Sequence, residues 1–175
     1  PYLAGAESNV SIGVARLGHR AAFAGRVSAD ELGLFLLRQL RAEGVDVGHV
    51  VRDPDRPAGL MFLERRTADL TRVIYQRAGS AGSALTVDDL RPALAAGTHV
   101  LHLTGITPAL SDSARAATEW AAGTAARSGA LVCLDVNYRS RLWSRDAARA
   151  VLTPLAGHAA VVVASHDELD LLGDH

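Results

Sequence analysis

The chain has 175 residues, 49% of them hydrophobic and 21% charged, with a formal net charge of -1. That length and apolar content suit one well-packed soluble domain, and a near-neutral balance without any basic block excludes an electrostatic footprint for nucleic acid or an anionic membrane. No stretch reaches the apolar length of a bilayer span and no charged n-region precedes an apolar core at the start, so the expected setting is the cytoplasm, with no membrane partner.

In chain order the elements alternate. Ser8 or Asn9 fits the N-cap of a helix whose Val10, Val14 and Leu17 share one face, and Gly18 suits its stop. Ala21 to Val27 reads as a strand. Ser28 and Glu31 have capping-box spacing ahead of Leu32, Phe35, Leu36 and Leu40, an amphipathic helix ending at Gly44. From Val45 the pattern changes to short strands and tight turns, broken strongly at Asp53-Pro54-Asp55-Arg56-Pro57. Gly59 to Arg65 and Thr71 to Arg77 then predict two antiparallel strands joined through Thr67-Ala68-Asp69-Leu70. Ala78-Gly79-Ser80-Ala81-Gly82-Ser83 is a flexible return from this small sheet. The alternation resumes with a capped helix from Thr86, a strand from His99 to Leu103 and an alanine-rich helix from Asp112 to about Arg127. A strand over Ala130 to Leu134, a helix after Ser144, a strand over Ala160 to Ala164 and a last helix opening at Ser165 complete the series. Strands separated by helices of this length predict βαβ units and an α/β, doubly wound, mostly parallel sheet.

The most informative stretch is Leu134-Asp135-Val136-Asn137-Tyr138-Arg139, continued by Leu142-Trp143-Ser144. Ala130 to Leu134 is an unbroken apolar run, as expected of a parallel strand covered on both faces, and the only cysteine, Cys133, lies inside it as a buried, inert thiol. In doubly wound sheets ligands bind outside the carboxyl ends of the strands, so Asn137, Tyr138 and Arg139 are placed to meet one. A loop arginine paired with a neighbouring carboxylate is the competing reading. Neither a Walker loop nor a Gly-x-Gly-x-x-Gly fingerprint occurs. His99 and His102, three apart on a strand, face opposite ways and are not expected to share a metal.

Four local patterns fit one family. Gly5-Ala6-Glu7-Ser8-Asn9-Val10, followed by Ala15-Arg16-Leu17-Gly18-His19-Arg20 and by Ala24-Gly25-Arg26-Val27-Ser28-Ala29-Asp30-Glu31-Leu32-Gly33, resembles the N-terminal signature of ribokinase-like (PfkB) carbohydrate kinases. Tyr75-Gln76-Arg77-Ala78-Gly79-Ser80-Ala81 and Asp135-Val136-Asn137-Tyr138-Arg139 are similar to the 2-keto-3-deoxygluconate kinase branch. The resemblance covers nearly the whole chain. It implies a ribokinase-like fold, with residues 1–47 and 78–175 forming an incomplete core, the C-terminal part missing, and residues 48–77 forming a small β lid over the sugar.

The activity it implies for the complete protein is ATP-dependent phosphorylation of a sugar acid, with ATP and Mg2+ as cofactors. Gly5 and Asn9 would contact sugar hydroxyls, while Tyr75, Arg77, the backbone at Ile106, and Arg139 would contact the keto-acid end and neighbouring hydroxyls. Ser165 would stand near the nucleotide and Glu168 indirectly near the metal, although Ser165 occupies a position usually taken by Asn. Independently of the family, Tyr75 and Arg77 are two apart on a strand and share a side, and arginine offers a planar fork to a carboxylate. Plainer readings remain open: Gly5 as a turn, Asn9 as a cap, Tyr75 and Arg77 as exposed cross-strand residues, Ser165 and Glu168 as a capping box. The Gly-Ala-Gly-Asp segment that carries the family's general base does not occur, so no catalytic residue is assigned and the chain alone is expected to be inactive. The alternatives are a neutral-sugar kinase of fructokinase or ribokinase type and a truncated, non-catalytic sugar-binding paralogue. A homo-oligomer formed through the lid is expected of the complete protein.

Overall fold

The computed structural model describes residues 2–67 and 70–173. Three groups of parallel strands and one antiparallel hairpin are interleaved with five α-helices. Strand β7 (Val100–Thr104) pairs in parallel with β8 (Leu131–Asp135), and β8 with β9 (Val161–Val163), in the register Thr104 to Asp135 to Val163. The crossovers are α4 (Asp112–Arg127) and α5 (Arg145–Ala156). These are the βαβ units expected from the sequence, so the carboxyl ends of all three strands emerge on one side.

Each crossover helix starts where a hydroxyl can accept an orphan amide. Ser111 Oγ accepts from Ala114 N and Ser144 Oγ from Ala147 N. The alanines of α4 let it lie close to the sheet: Ala114, Ala117 and Ala121 are buried with Leu85 and Leu90, Ala125 with Val132, and Ala122 with Leu134. Helix α5 adds Ala148, Val151, Leu152 and Leu155 against Leu134 and Val136 to form the main core. Gly105, just past β7, donates to Asp135 O at 2.9 Å, and a Cβ there would stand 2.1 Å from Val136 O. Only glycine permits this approach of two strand ends.

Only one face of β8 is sealed, contrary to the expectation of cover on both. Val132 is 1% exposed, but Leu131 is 55% exposed, because α4 and α5 both pack on the same side. Cys133 is accordingly half-buried; burial and then the Asp135 charge push its thiol up, which disfavours a nucleophilic thiolate.

Near the start, α1 (Ala6–Arg16) is capped by Gly5, one turn before the expected Ser8 or Asn9. Ser8 is instead buried and donates to Gly5 O at 3.1 Å. The predicted strand over Ala21 to Val27 is split into β1 (Ala21–Ala22), which pairs with β3 (Val45–Asp46), and β2 (Gly25–Ser28), which pairs with β4 (Val50–Asp53). The strands they pair with explain the split: Asp46 Oδ1 accepts from Gly48 N at 2.8 Å, turning the backbone out of the strand between β3 and β4. Asp30, not Ser28, caps α2 (Glu31–Ala42); its carboxylate accepts from Gly33 N, while Ser28 Oγ donates to it. Arg26 on β2 bridges buried Asp53 on β4, at 3.0 Å, and Asp89 on α3 (Val87–Ala95), at 2.9 Å. Burial pushes the Asp89 carboxyl up, but its bonds to Arg26 and Thr86 outweigh that and hold it below the usual range.

The hairpin is β5 (Leu60–Thr67) and β6 (Leu70–Gln76), with Met61 opposite Tyr75 and Phe62 opposite Ile74. Its tip, Ala68 and Asp69, lies outside the described residues. Residues 48–77 thus contain the hairpin together with β4, which belongs to the parallel pairing. The last element, His166–Leu172, is a 3-10 helix rather than an α-helix. Its carbonyls serve outside donors: Asp167 O accepts from Arg145, and Leu171 O from Thr153.

Candidate functional site

Two arms meet beyond the strand ends. The first is the β8–α5 loop. Asn137 takes a left-handed conformation, φ 43°, tolerated by Asn because its side chain can bond locally; here Nδ2 donates to Asp135 Oδ2 at 2.7 Å. Tyr138 is fixed at three points: its N–H donates to Glu168 Oε1 at 2.6 Å, its hydroxyl to Trp143 O at 3.2 Å, and the Arg145 guanidinium lies over its ring. This tethered backbone presents Arg139, whose side chain is exposed and donates only to the adjacent Tyr138 O.

The second arm is the hairpin. Tyr75 and Arg77 share a side as expected, with the guanidinium 4.4 Å from the ring centroid, although Arg77 falls just past the end of β6. Burial lowers the Arg77 pKa from its usual value; the Tyr75 interaction opposes this, and the positive charge of Arg139 lowers it further. Among the described residues neither Arg77 nor Arg139 has a carboxylate partner. The reading of Arg139 as a loop cation tied to a carboxylate is not what the fold contains. Arg141 donates to Val73 O at 3.0 Å and so bolts the loop to the hairpin. Between them opens a cleft of about 510 Å³, lined by Tyr75, Arg77, Leu110, Arg141 and Leu142 among others. Unpaired cations in a concave, partly desolvated setting attract an anion, and a guanidinium fork matches a carboxylate bidentately.

A further group ties Gly5 to Ile106. Glu7, in the first turn of α1, accepts at one oxygen from both Thr104 Oγ1 and Thr107 Oγ1, each at 2.7 Å. Thr104 is fully buried and its hydroxyl also accepts from Ile106 N at 3.2 Å. The amide of Ile106 is therefore engaged internally, and its carbonyl accepts from Ala109 N. Glu7 was not among the expected site residues. The only local signal was a carboxylate in the first turn of a helix; its partners lie about a hundred residues away. Asn9 is not brought to the arginines: it is exposed on α1 and lines a separate cleft with Leu3, Ile12 and Arg16. Ser165 and Glu168 form the expected capping box, and Glu168 also reaches the Arg139 arm.

With this geometry established, comparison with known proteins is decisive about ancestry. The family model for pfkB family carbohydrate kinases matches residues 2–175. The chain belongs to that family. Within it, the chain is 39% identical over 175 residues to a 2-dehydro-3-deoxygluconokinase of Thermoproteus tenax, covering 98% of this chain and 53% of that protein. It is also 37% identical over 169 residues to fructokinase-1 of Zea mays, covering 96% and 52% respectively. The crystal structure of a 2-dehydro-3-deoxygluconokinase from Thermotoga maritima superposes with a TM-score of 0.90 at 30% identity, over 97% of this chain and 52% of that one. This pfkB-family chain thus spans about half the length of the curated relatives it matches, and its α/β architecture with parallel strands is theirs.

Proposed function

We propose that this chain supplies the sugar-acid-binding part of an ATP-dependent kinase that phosphorylates 2-keto-3-deoxygluconate at its terminal O6. The observation that carries the reading is two cations without carboxylate partners among the described residues: Arg77 lines the inter-arm cleft beside Tyr75, and Arg139 is near enough for its charge to act on Arg77. A neutral sugar would leave those cations unpaired, whereas a substrate carboxylate would meet them in charge-assisted bonds.

In this reading Gly5 and the Ile106 carbonyl address the hydroxyls, Asn9 in its separate cleft takes no part, Tyr75 packs on the chain of the sugar acid, and the hairpin is the lid that excludes water. Arg141 makes the lid and the Arg139 loop move as one body. Phosphoryl transfer depends on positioning and electrostatic stabilisation, and this chain contributes the positioning of the acceptor. ATP and magnesium belong to the other side of the site, near Ser165. The described residues gather no group of three or more His, Cys, Asp or Glu, and both oxygens of Glu168 already accept backbone amides. These residues do not build an inner coordination shell, and any share Glu168 has in holding magnesium would be through water.

Half-exposed Phe62 and Ile74, opposite each other on one face of the hairpin, favour a second copy of the chain as partner, with the apolar faces covering each other. Among the described residues no helix is long and apolar enough to cross a membrane, in keeping with work in the cytoplasm. The fructokinase relative supports a second reading, a neutral-sugar kinase on the same scaffold. A substrate screen of the complete protein with ATP separates the two: the leading reading expects a higher kcat/KM on the keto-acid sugar than on fructose or ribose, and comparable values would overturn it.

A further inference from the structure

Glu168 is only 8% exposed, and its two oxygens face two different segments. Oε2 accepts from Ser165 N at 2.9 Å within its own turn, while Oε1 accepts from Tyr138 N, 30 residues away, at 2.6 Å. Helix capping accounts for the first bond alone, and a glutamine would serve as well there. The second bond is not required by the turn. It holds the amide of the Asn137–Tyr138 peptide, one residue before Arg139 and immediately after the left-handed Asn137.

We propose that Glu168 is a positioning residue for acid recognition: by clamping the Tyr138 amide it fixes the direction in which Arg139 leaves the loop, and so sets how well the enzyme grips the acidic end of its substrate. This rests on the function proposed above. The carboxylate is required because both neighbours are donors. In Glu168→Gln one side-chain atom becomes an N–H donor facing a backbone N–H, so one bond is lost and a donor confronts a donor. In Glu168→Asp the charge stays, but the side chain is one methylene too short to bridge both segments.

The test is a double-mutant cycle on the complete protein, with Glu168→Gln, Arg139→Ala and the pair, reading KM for the keto-acid sugar and KM for fructose. Glu168→Gln is expected to raise KM for the keto acid by about tenfold, the scale of one lost charge-assisted contact. It should add almost nothing once Arg139 is already alanine, since a positioning residue acts through the group it positions. KM for fructose should stay put. An equal rise in the Arg139→Ala background, or a matching rise in KM for fructose, overturns the proposal. If Glu168→Gln does not fold, Glu168→Asp is put through the same cycle and judged by the same two criteria. Should the wild-type enzyme prefer fructose, it is the substrate reading that falls; the cycle is still scored on the keto-acid sugar, where a Glu168→Gln without effect on KM overturns the proposal.

Discussion

Arg77→Gln separates a ligand-binding cation from a structural one by the sign of two effects. In the wild type the guanidinium is partly buried, stacks on Tyr75 at 4.4 Å and lies within the field of Arg139, with no carboxylate to compensate it. Removing it forfeits a cation–π contact worth about 0.5–1 kcal/mol. It also returns the desolvation cost of the charge and relieves repulsion between like charges, so the net effect on folding is within about 1 kcal/mol and Tm moves by no more than about 4 °C. Catalysis should suffer far more. One charge-assisted contact to a carboxylate contributes about 1.5–3 kcal/mol, which corresponds to about a tenfold to hundredfold fall in kcat/KM for the keto-acid sugar. Fructose, lacking the carboxylate, should be turned over about as before. Steady-state kinetics on both sugars, with calorimetry of the ligand-free enzyme, measures each term. A collapse of Tm with an unchanged ratio of kcat/KM between the sugars would refute the assignment of Arg77 to the substrate.

Arg139→Lys keeps the charge but removes the fork, so kcat/KM on the keto acid should fall by about tenfold to a hundredfold with Tm little changed; a stability loss with unaltered kinetics would mean that Arg139 serves its loop. Glu7→Ala strands the buried Thr104 hydroxyl and frees that of Thr107, which should cost about 1–3 kcal/mol in denaturant unfolding and raise KM for the sugar by loosening the Gly5 to Ile106 connection. The folded-state pKa of Asp89 is depressed, so its contribution to stability is present above the unfolded carboxylate value of about 3.9 and is lost as pH falls through it toward the folded value. Unfolding curves of wild type and Asp89→Asn should therefore lie well apart at pH 7 and draw together below about pH 4; a constant gap would show that the ion pair to Arg26 is not the cause.

What could be read from sequence follows how far apart the interacting groups lie. Thr86 and Ser144 reveal their helices because a capping residue and the group it bonds are three residues apart. Tyr75 and Arg77 reveal a shared side for the same reason, and the apolar run ending at Asp135 marks the strand whose end carries Arg139. Glu7 stayed hidden because its meaning resides in Thr104 and Thr107. The split between β1 and β2 was equally invisible, as it is imposed by the turn at Asp46 in the partner strand rather than by anything within Ala21 to Val27. Ser165 and Glu168 announced a cap, but the same pattern precedes α-helices and 3-10 helices alike, so the helix type stayed hidden.

The bolt between the two arms is made to a peptide carbonyl, not to a side chain: Arg141 addresses Val73 through its main-chain oxygen. Any residue at position 73 offers the same acceptor. The hairpin can therefore change side chains on its inner surface, which the proposed function turns toward the substrate, while remaining joined to the loop that carries Arg139. A scaffold wired in this way can diversify its substrates by point substitution without relearning how to close.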